Sequence, residues 1–241
     1  MLRSDLRSAL DLRPFTAEIG LVSEADGSAL ISVGNTKVLV SVCGPAPPKY
    51  ARHEQYNQAT VEIEIDIPNR LVVDGSDIMQ QKRKYERFIK DSIMESIDLR
   101  QFPRMVILVN ILVINNDGSL LSVALNSAVL ALVDAGIPLV YVPVAVSLSV
   151  LQKDNLTELI LDPVSNEEEH SIANGTFVLR PLLGQLESNA TSATAAVIAS
   201  DLVGRINTKG LKDAAALAMA TSTQLNEIMQ KFIQTRLNQN V

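Results

Sequence analysis

Tryptophan is absent, cysteine occurs once, and aromatic residues make up only 4% of the 241 residues. A core must therefore be built from aliphatic side chains. The single thiol, Cys43, makes no intrachain disulfide; inside an apolar run it reads as a buried, inert residue. Histidine is almost as scarce. His53 and His170 stand alone, neither spaced with a second His or Cys as a metal site requires, and both read as surface or loop residues. A glycine-rich dinucleotide fingerprint, a Walker loop and a nucleophile elbow are all missing. Chemistry, if present, falls to carboxylates. No apolar stretch reaches membrane-spanning length without polar or proline interruption. Met1 to Phe15 contains Asp5 and Asp11 and no apolar h-region, unlike a secretory or transit peptide, so the expected compartment is cytosol or nucleus. A net charge of −6 argues against a protein that grips nucleic acid over its whole surface, though it leaves room for a local basic groove.

What is present is globular: hydrophobic residues make up 47% and charged residues 20%. From Phe15 to Pro45 the sequence reads as strands, with Ser28–Val33 and Lys37–Val42 joined through Gly34-Asn35 as a hairpin. Thr60 to Ile67 alternates, with Val61, Ile63, Ile65 and Ile67 on one face and Glu62, Glu64 and Asp66 on the other. Asp77 to Ile97 has helical spacing. Met105 to Ile114 is nearly continuous apolar sequence and reads as a central strand buried on both faces. After the turn Asn116-Asp117-Gly118, Leu120 to Asp134 reads as a buried helix stopped by Gly136 and Pro138. Strands are expected at Tyr141–Leu151, Leu159–Leu161 and Thr176–Leu182, a loop over 184–195, and a final helix from about Leu211 to Leu237. The order implies an α+β fold with mixed sheets and a buried central helix. No Pro/Ser-rich linker divides residues 1–241, which read as a single domain.

The carboxylate candidates are Asp162 with Glu167, Glu168 and Glu169, in the turn after a strand. Two acids across such a turn can share a divalent metal, or they can form a solvated acidic loop. Glu62, Glu64 and Asp66 tolerate one another best in water or beside basic residues of a partner. On the helix over 77–97, Lys82, Arg83, Lys84 and Arg87 form a basic cluster, either an RNA-backbone contact or a solvated helix face.

Several segments together resemble the RNase PH family: Ala25-Asp26-Gly27-Ser28-Ala29, Gly34 to Leu39, Cys43-Gly44-Pro45, Phe102-Pro103-Arg104, Asn116-Asp117-Gly118-Ser119, Ala131 to Pro138, and Leu161-Asp162-Pro163. They keep their order and spacing over residues 13–181, and the remainder matches only as a C-terminal helix. Gly44-Pro45-Ala46, Lys49 and Gln58 to Ile63 are most similar to the eukaryotic exosome's ring subunits, in the branch of ribosomal RNA-processing protein forty-six. The resemblance implies an RNase PH-like fold (the ribosomal protein S5 domain 2-like class) of two related β-α halves. It also implies a six-membered ring of RNase PH-like subunits, S1/KH cap subunits, RNA in a central channel, rRNA processing and RNA decay, and a location in nucleus, nucleolus and cytoplasm.

It further implies where chemistry would sit. Active relatives bind phosphate through Gly-Thr-Arg at the start of the buried helix, and the matching positions here are Ser119, Leu120 and Leu121. Free amides at a helix N-terminus attract anions, but a phosphate nucleophile needs a cation to offset its desolvation. Leu121 supplies none, a deficit on the order of 10³-fold in rate. Glu62 and Glu64 stand where relatives carry RNA-holding arginines, and a second arginine aligns with the Lys90-Asp91 region. Asp162 matches the first family acid, Glu168 the second, and Asn174 falls where a third acid would be. The expectation is a subunit without catalytic residues, metal or cofactor, with RNA but no membrane among its partners. Two alternatives stay open: a metal-dependent 3′-to-5′ exoribonuclease using Asp162 and Glu168, and a stand-alone homo-oligomeric RNA-binding module.

Overall fold

The computed structural model describes residue 3 and residues 7–48, 54–68, 78–153, 156–181 and 195–239. In chain order these form β1 (Phe15–Ile19), β2 (Gly27–Val33), β3 (Thr36–Ala46), β4 (Thr60–Asp66), α1 (Ile78–Met94), β5 (Val106–Asn115), α2 (Leu120–Asp134), β6 (Val144–Lys153), β7 (Leu156–Leu161), α3 (Ser165–Glu169), β8 (Ala173–Pro181), β9 (Ala195–Gly204) and α4 (Thr208–Gln239). The first half supplies a five-stranded sheet, β1-β2-β3-β5-β4, and the second a four-stranded sheet, β7-β6-β8-β9. The β4–β5 pair is parallel and the remaining pairs are antiparallel. The mixed-sheet α+β fold expected from the sequence is present.

Helix α2 is the pillar between the sheets. Leucine, alanine and valine dominate it, and every residue from Leu120 to Leu132 is buried. It packs on β2 and β3 from one side and on β6 and α4 from the other. Its polar interruption has a job: Asn126 donates from Nδ2 to the Ala145 carbonyl and accepts the Ala145 N–H at Oδ1, pinning α2 to β6 at 3.0 and 2.8 Å. The helix ends in a Schellman arrangement. Gly136, at φ +70°, donates to Val133 O, and Ile137 donates to Leu132 O.

Several expectations need revision. Strand β5 is not buried on both faces. Ile107, Val109, Ile111 and Val113 are buried, whereas Leu108 and Asn110 are half-buried and Leu112 and Ile114 are exposed. The continuous apolar run reflects one core face plus an apolar outer face. Strand β9 and the short helix α3 were not anticipated. β9 begins as the small-residue stretch ends, and α3 lies inside a run of acids. Most of the loop expected over 184–195 lies outside the described residues. The last helix starts at Thr208, slightly before the expected point. Cys43 is half-buried rather than buried. Among the described residues, no helix is long and apolar enough to cross a membrane.

Candidate functional site

The turn 116–119 and the loop 162–168 meet at the amino end of α2. Gly118 makes this approach possible. At φ +83° it lies in the left-handed region, and a Cβ there would sit 2.6 Å from the Pro163 carbonyl oxygen. Ser119 (φ +54°) and Asp162 (φ +51°) also adopt left-handed backbone without being glycine, which concentrates strain at this junction. Both are buried, at 2% and 6% exposure.

Asp162 is held by Arg13 from the N-terminal segment. Arg13 Nε donates to Oδ2 at 2.9 Å and a terminal guanidinium nitrogen donates to Oδ1 at 2.6 Å, while the Arg13 backbone N–H also reaches Oδ2 at 3.0 Å. The same guanidinium donates to the carbonyls of Asp117 and Gly118. Both carboxylate oxygens of Asp162 are thus committed to a buried, bidentate ion pair. Arg3 makes a parallel clamp one turn further on. Its guanidinium, 4% exposed, grips Glu167 at 2.8 and 2.9 Å and donates to the carbonyls of Leu161 and Asp162.

Glu168 takes a different partner. Its Oε1 accepts the backbone N–H of Ser119 at 2.7 Å, so the chain's own carboxylate occupies the amide at the start of α2. Burial pushes its pKa up; the Ser119 N–H and Arg13 pull down, and Asp162 and Asp117 add to the rise. Glu167 ends on the other side of its ordinary value. Burial raises it, but the Arg3 hydrogen bond, the Val164 N–H and the Arg3 charge together bring it below. Asn174 is also fully engaged: Ser149 and Ser171 hydroxyls donate to its Oδ1, and its Nδ2 donates to the Glu168 carbonyl.

Beside this junction lies a cavity of about 350 Å³. Leu120, Leu121, Ile67 and Val203 form its apolar wall, and Ser119, Tyr85, Asn174, Thr176, Glu168, Glu169, Asp201 and Lys84 form its polar one. The positions expected to mark the degenerate site, Ser119, Leu120, Leu121, Glu168 and Asn174, therefore converge on one cavity, while Asp162 lies behind it against Arg13. Lys84 reaches the cavity but is paired with Asp201 of β9 at 2.7 Å. Elsewhere on α1, Lys82 pairs with Asp66 at 3.1 Å and Arg87 with Asp91 at 3.7 Å, while Arg83 joins Arg87 along a shallow groove. Glu62 and Glu64 do not line the cavity. They project from the opposite face of β4 to Val61, Ile63 and Ile65, so the repulsion expected from them acts outside this site. On the surface the His170 ring donates from Nδ1 to the Asn166 carbonyl, and His53 lies outside the described residues.

The donor set does not fit a divalent metal. Asp162 faces a guanidinium, Glu168 an amide, and Asn174 its two serine hydroxyls. Among the described residues no cluster of three or more Asp, Glu, His or Cys side chains is arranged to hold an ion. The clamps themselves, Arg3 and Arg13, were missed from the sequence. They precede the first strand, more than a hundred residues from their acids, and no spacing connects them.

Comparison with known proteins places this geometry in a lineage. The RNase PH profile, described as the 3′ exoribonuclease family, domain 1, matches residues 11–138. The Arabidopsis thaliana exosome complex component RRP41-like is 30% identical over 230 residues, covering 95% of this chain and 82% of that protein. The rice exosome complex exonuclease RRP46 homolog is 35% identical over 167 residues, covering 69% and 66%. Among solved structures, rice Rrp46 superposes with a TM-score of 0.77 at 28% identity, covering 95% of this chain and 98% of that one. An Archaeoglobus fulgidus exosome with RNA bound to the active site shares the fold, with a TM-score of 0.73 at 20% identity. Sequence, topology and the convergence of Ser119, Glu168 and Asn174 on one cavity agree: the chain belongs to the RNase PH family.

Proposed function

We propose that this chain is a non-catalytic ring subunit of an RNA exosome, supporting 3′-to-5′ RNA processing and decay by holding other RNase PH-like subunits and S1/KH caps around the RNA path. The observation that carries the reading is the internal occupation of the site. Glu168 takes the Ser119 amide, and Arg13 takes both oxygens of Asp162. An entering phosphate would meet the Glu168 carboxylate already on the Ser119 N–H, with Glu169 and Asp201 beside it. Leucines stand where a cation would be needed. The similarity to exosome components supports the assembly role.

The basic side chains Lys82, Arg83, Lys84 and Arg87 are the proposed RNA-backbone contacts of the chain, with Arg83 the more available because Lys82, Lys84 and Arg87 are paired to Asp66, Asp201 and Asp91. Nucleus, nucleolus and cytoplasm are the proposed locations. The test is a 5′-labelled single-stranded RNA incubated with the purified chain, with inorganic phosphate in one arm and Mg²⁺ or Mn²⁺ in another. No shortening is expected in either arm, together with recovery of RNase PH-like and S1/KH proteins when the chain is isolated from cells. Shortening abolished by Asp162→Asn would establish the exoribonuclease instead. A homo-oligomer binding RNA without other subunits would establish the stand-alone module.

A further inference from the structure

One aromatic ring stands out in water. Tyr56 is 76% exposed, and among the described residues no other Phe or Tyr is exposed. The Arg104 guanidinium carbon lies over this ring, 3.9 Å from its centroid, and so covers one face. The pair is not carried by a loose loop. Arg104 donates its backbone N–H to the Gln55 carbonyl at 3.0 Å, Ala59 donates to Leu99 O at 2.9 Å, and Thr60 donates to Met105 O at 2.8 Å. Residues 55–60 are thereby laced to the turn 99–105, at the point where β4 and β5 begin. Arg104 sits at φ +63°, in the left-handed region that a long side chain seldom adopts. Strain of this kind persists where the surroundings impose it, and it collects at ligand contacts.

The neighbours of the ring select its partner. An aromatic anchor for a protein sits at the centre of an apolar patch. Here residues 54–58 carry no aliphatic side chain, and the facing turn exposes only Pro103 and Met105 among apolar ones. Gln55 and Asn57 flank the ring in the chain, both exposed, and each carboxamide offers a donor and an acceptor. Glu54, the acid of this loop, is paired with Arg104 at 3.5 Å. An accessible ring backed by a guanidinium, with carboxamides beside it, matches an unpaired nucleobase in both its π-face and its polar edge. We infer that Tyr56, backed by Arg104, is a stacking platform for a base of single-stranded RNA. The inference rests on the reading of RNA as a partner of this chain and adds a base contact to the backbone contacts of α1. The two are separate in space: Arg83 lies about 16 Å along α1 from its end at Met94, and the turn 99–105 follows that end. They also differ in signature. A phosphate contact releases counterions and weakens as salt rises, whereas a base on a ring releases none.

The experiment uses the purified full-length chain and an oligouridine carrying 5-iodouridine, with an abasic oligomer of the same length beside it. Photocrosslinking is expected at Tyr56. Tyr56→Phe is expected to bind oligouridine like the parent, and Tyr56→Leu to weaken binding by about tenfold. Tyr56→Leu is expected to keep the parent's slope of affinity against salt, its affinity for the abasic oligomer and its melting point. Equal binding of oligouridine by parent and Tyr56→Leu, or a loss that the abasic oligomer shares, overturns the platform. The RNA reading then stands on the salt slope, which Arg83→Glu is expected to flatten. If the parent binds no oligouridine alone, the crosslink is sought in the complex isolated through the tagged chain. Absence of a Tyr56 crosslink there, or a protein coupled to Tyr56 in place of RNA, overturns the platform. RNA bound by neither the chain nor that complex overturns both readings.

Discussion

The amino end of α2 and the outer face of the five-stranded sheet are opposite kinds of surface. At the first, the polar groups described are answered from within the chain: Arg13 by Asp162, Arg3 by Glu167, the Ser119 amide by Glu168. At the second, Leu112 is exposed beside half-buried Leu30 and Leu39, and Glu18 and Asp66 stand on the edge strands. The first is closed with the protein's own charges, while the second keeps apolar side chains in contact with solvent. Buried polar groups left unpaired are costly, so a buried site favours partners from within the chain. An apolar outer face costs little in the free chain.

The largest expected effect is at the closed end. Arg13→Ala strands a buried Asp162 carboxylate and is expected to destabilise the fold by about 3–5 kcal/mol, read by urea unfolding, with Asp162→Asn in the same chain restoring part of the loss. At about 2–4 °C per kcal/mol for a domain of this size, the melting point falls on the order of 10 °C. Unchanged stability would mean the clamp is ornamental and would dissolve the contrast. Leucine truncation sharpens it. Leu125→Ala in the fully buried α2 is expected to cost about 2–5 kcal/mol, and Leu112→Ala on the open face less than about 1 kcal/mol in the isolated chain.

The two neighbouring glutamates separate by pH. Glu167 has a lowered pKa, so its contribution to stability is present above its ordinary value of 4.5 and lost as pH falls through the folded value. Glu168 has a raised pKa, so its contribution is complete below 4.5 and declines as pH rises through the folded value. Glu167→Gln is therefore expected to cost about 1.5–3 kcal/mol at neutral pH, where Arg3 loses a charged partner. Glu168→Gln keeps an acceptor for the Ser119 N–H, and its stability relative to wild type is expected to rise with pH. Urea midpoints across about pH 4 to 8 check both slopes. The smallest effect is Glu64→Lys, expected to alter the isolated chain's stability by no more than about 0.5 kcal/mol.

Much of the scaffold was legible because burial writes itself into periodicity. The Thr60–Ile67 alternation, the helix over Leu120–Asp134 and the Gly34-Asn35 hairpin all stand where their patterns place them. Strand β5 misled because a one-dimensional run of aliphatic residues does not distinguish a face covered by the protein's own helices from the opposite face. Strand β9 was missed because its small residues carry weak alternation, and its place beside β8 is decided by pairing. At the site, Ser119, Leu120, Leu121, Glu168 and Asn174 were singled out by the family resemblance and line one cavity, but the residues that pair with them were not legible.

The amino-acid order alone determined the aliphatic core and the central helix, since each depends on residue identity and local spacing. Tertiary structure decided which charge answers which. Arg3 and Arg13 find their acids across 164 and 149 residues of chain, and Glu168 reaches the Ser119 amide across 49. Electrostatic pairing depends on distance and burial in space, and those are fixed only when the two loops are brought together over the end of α2.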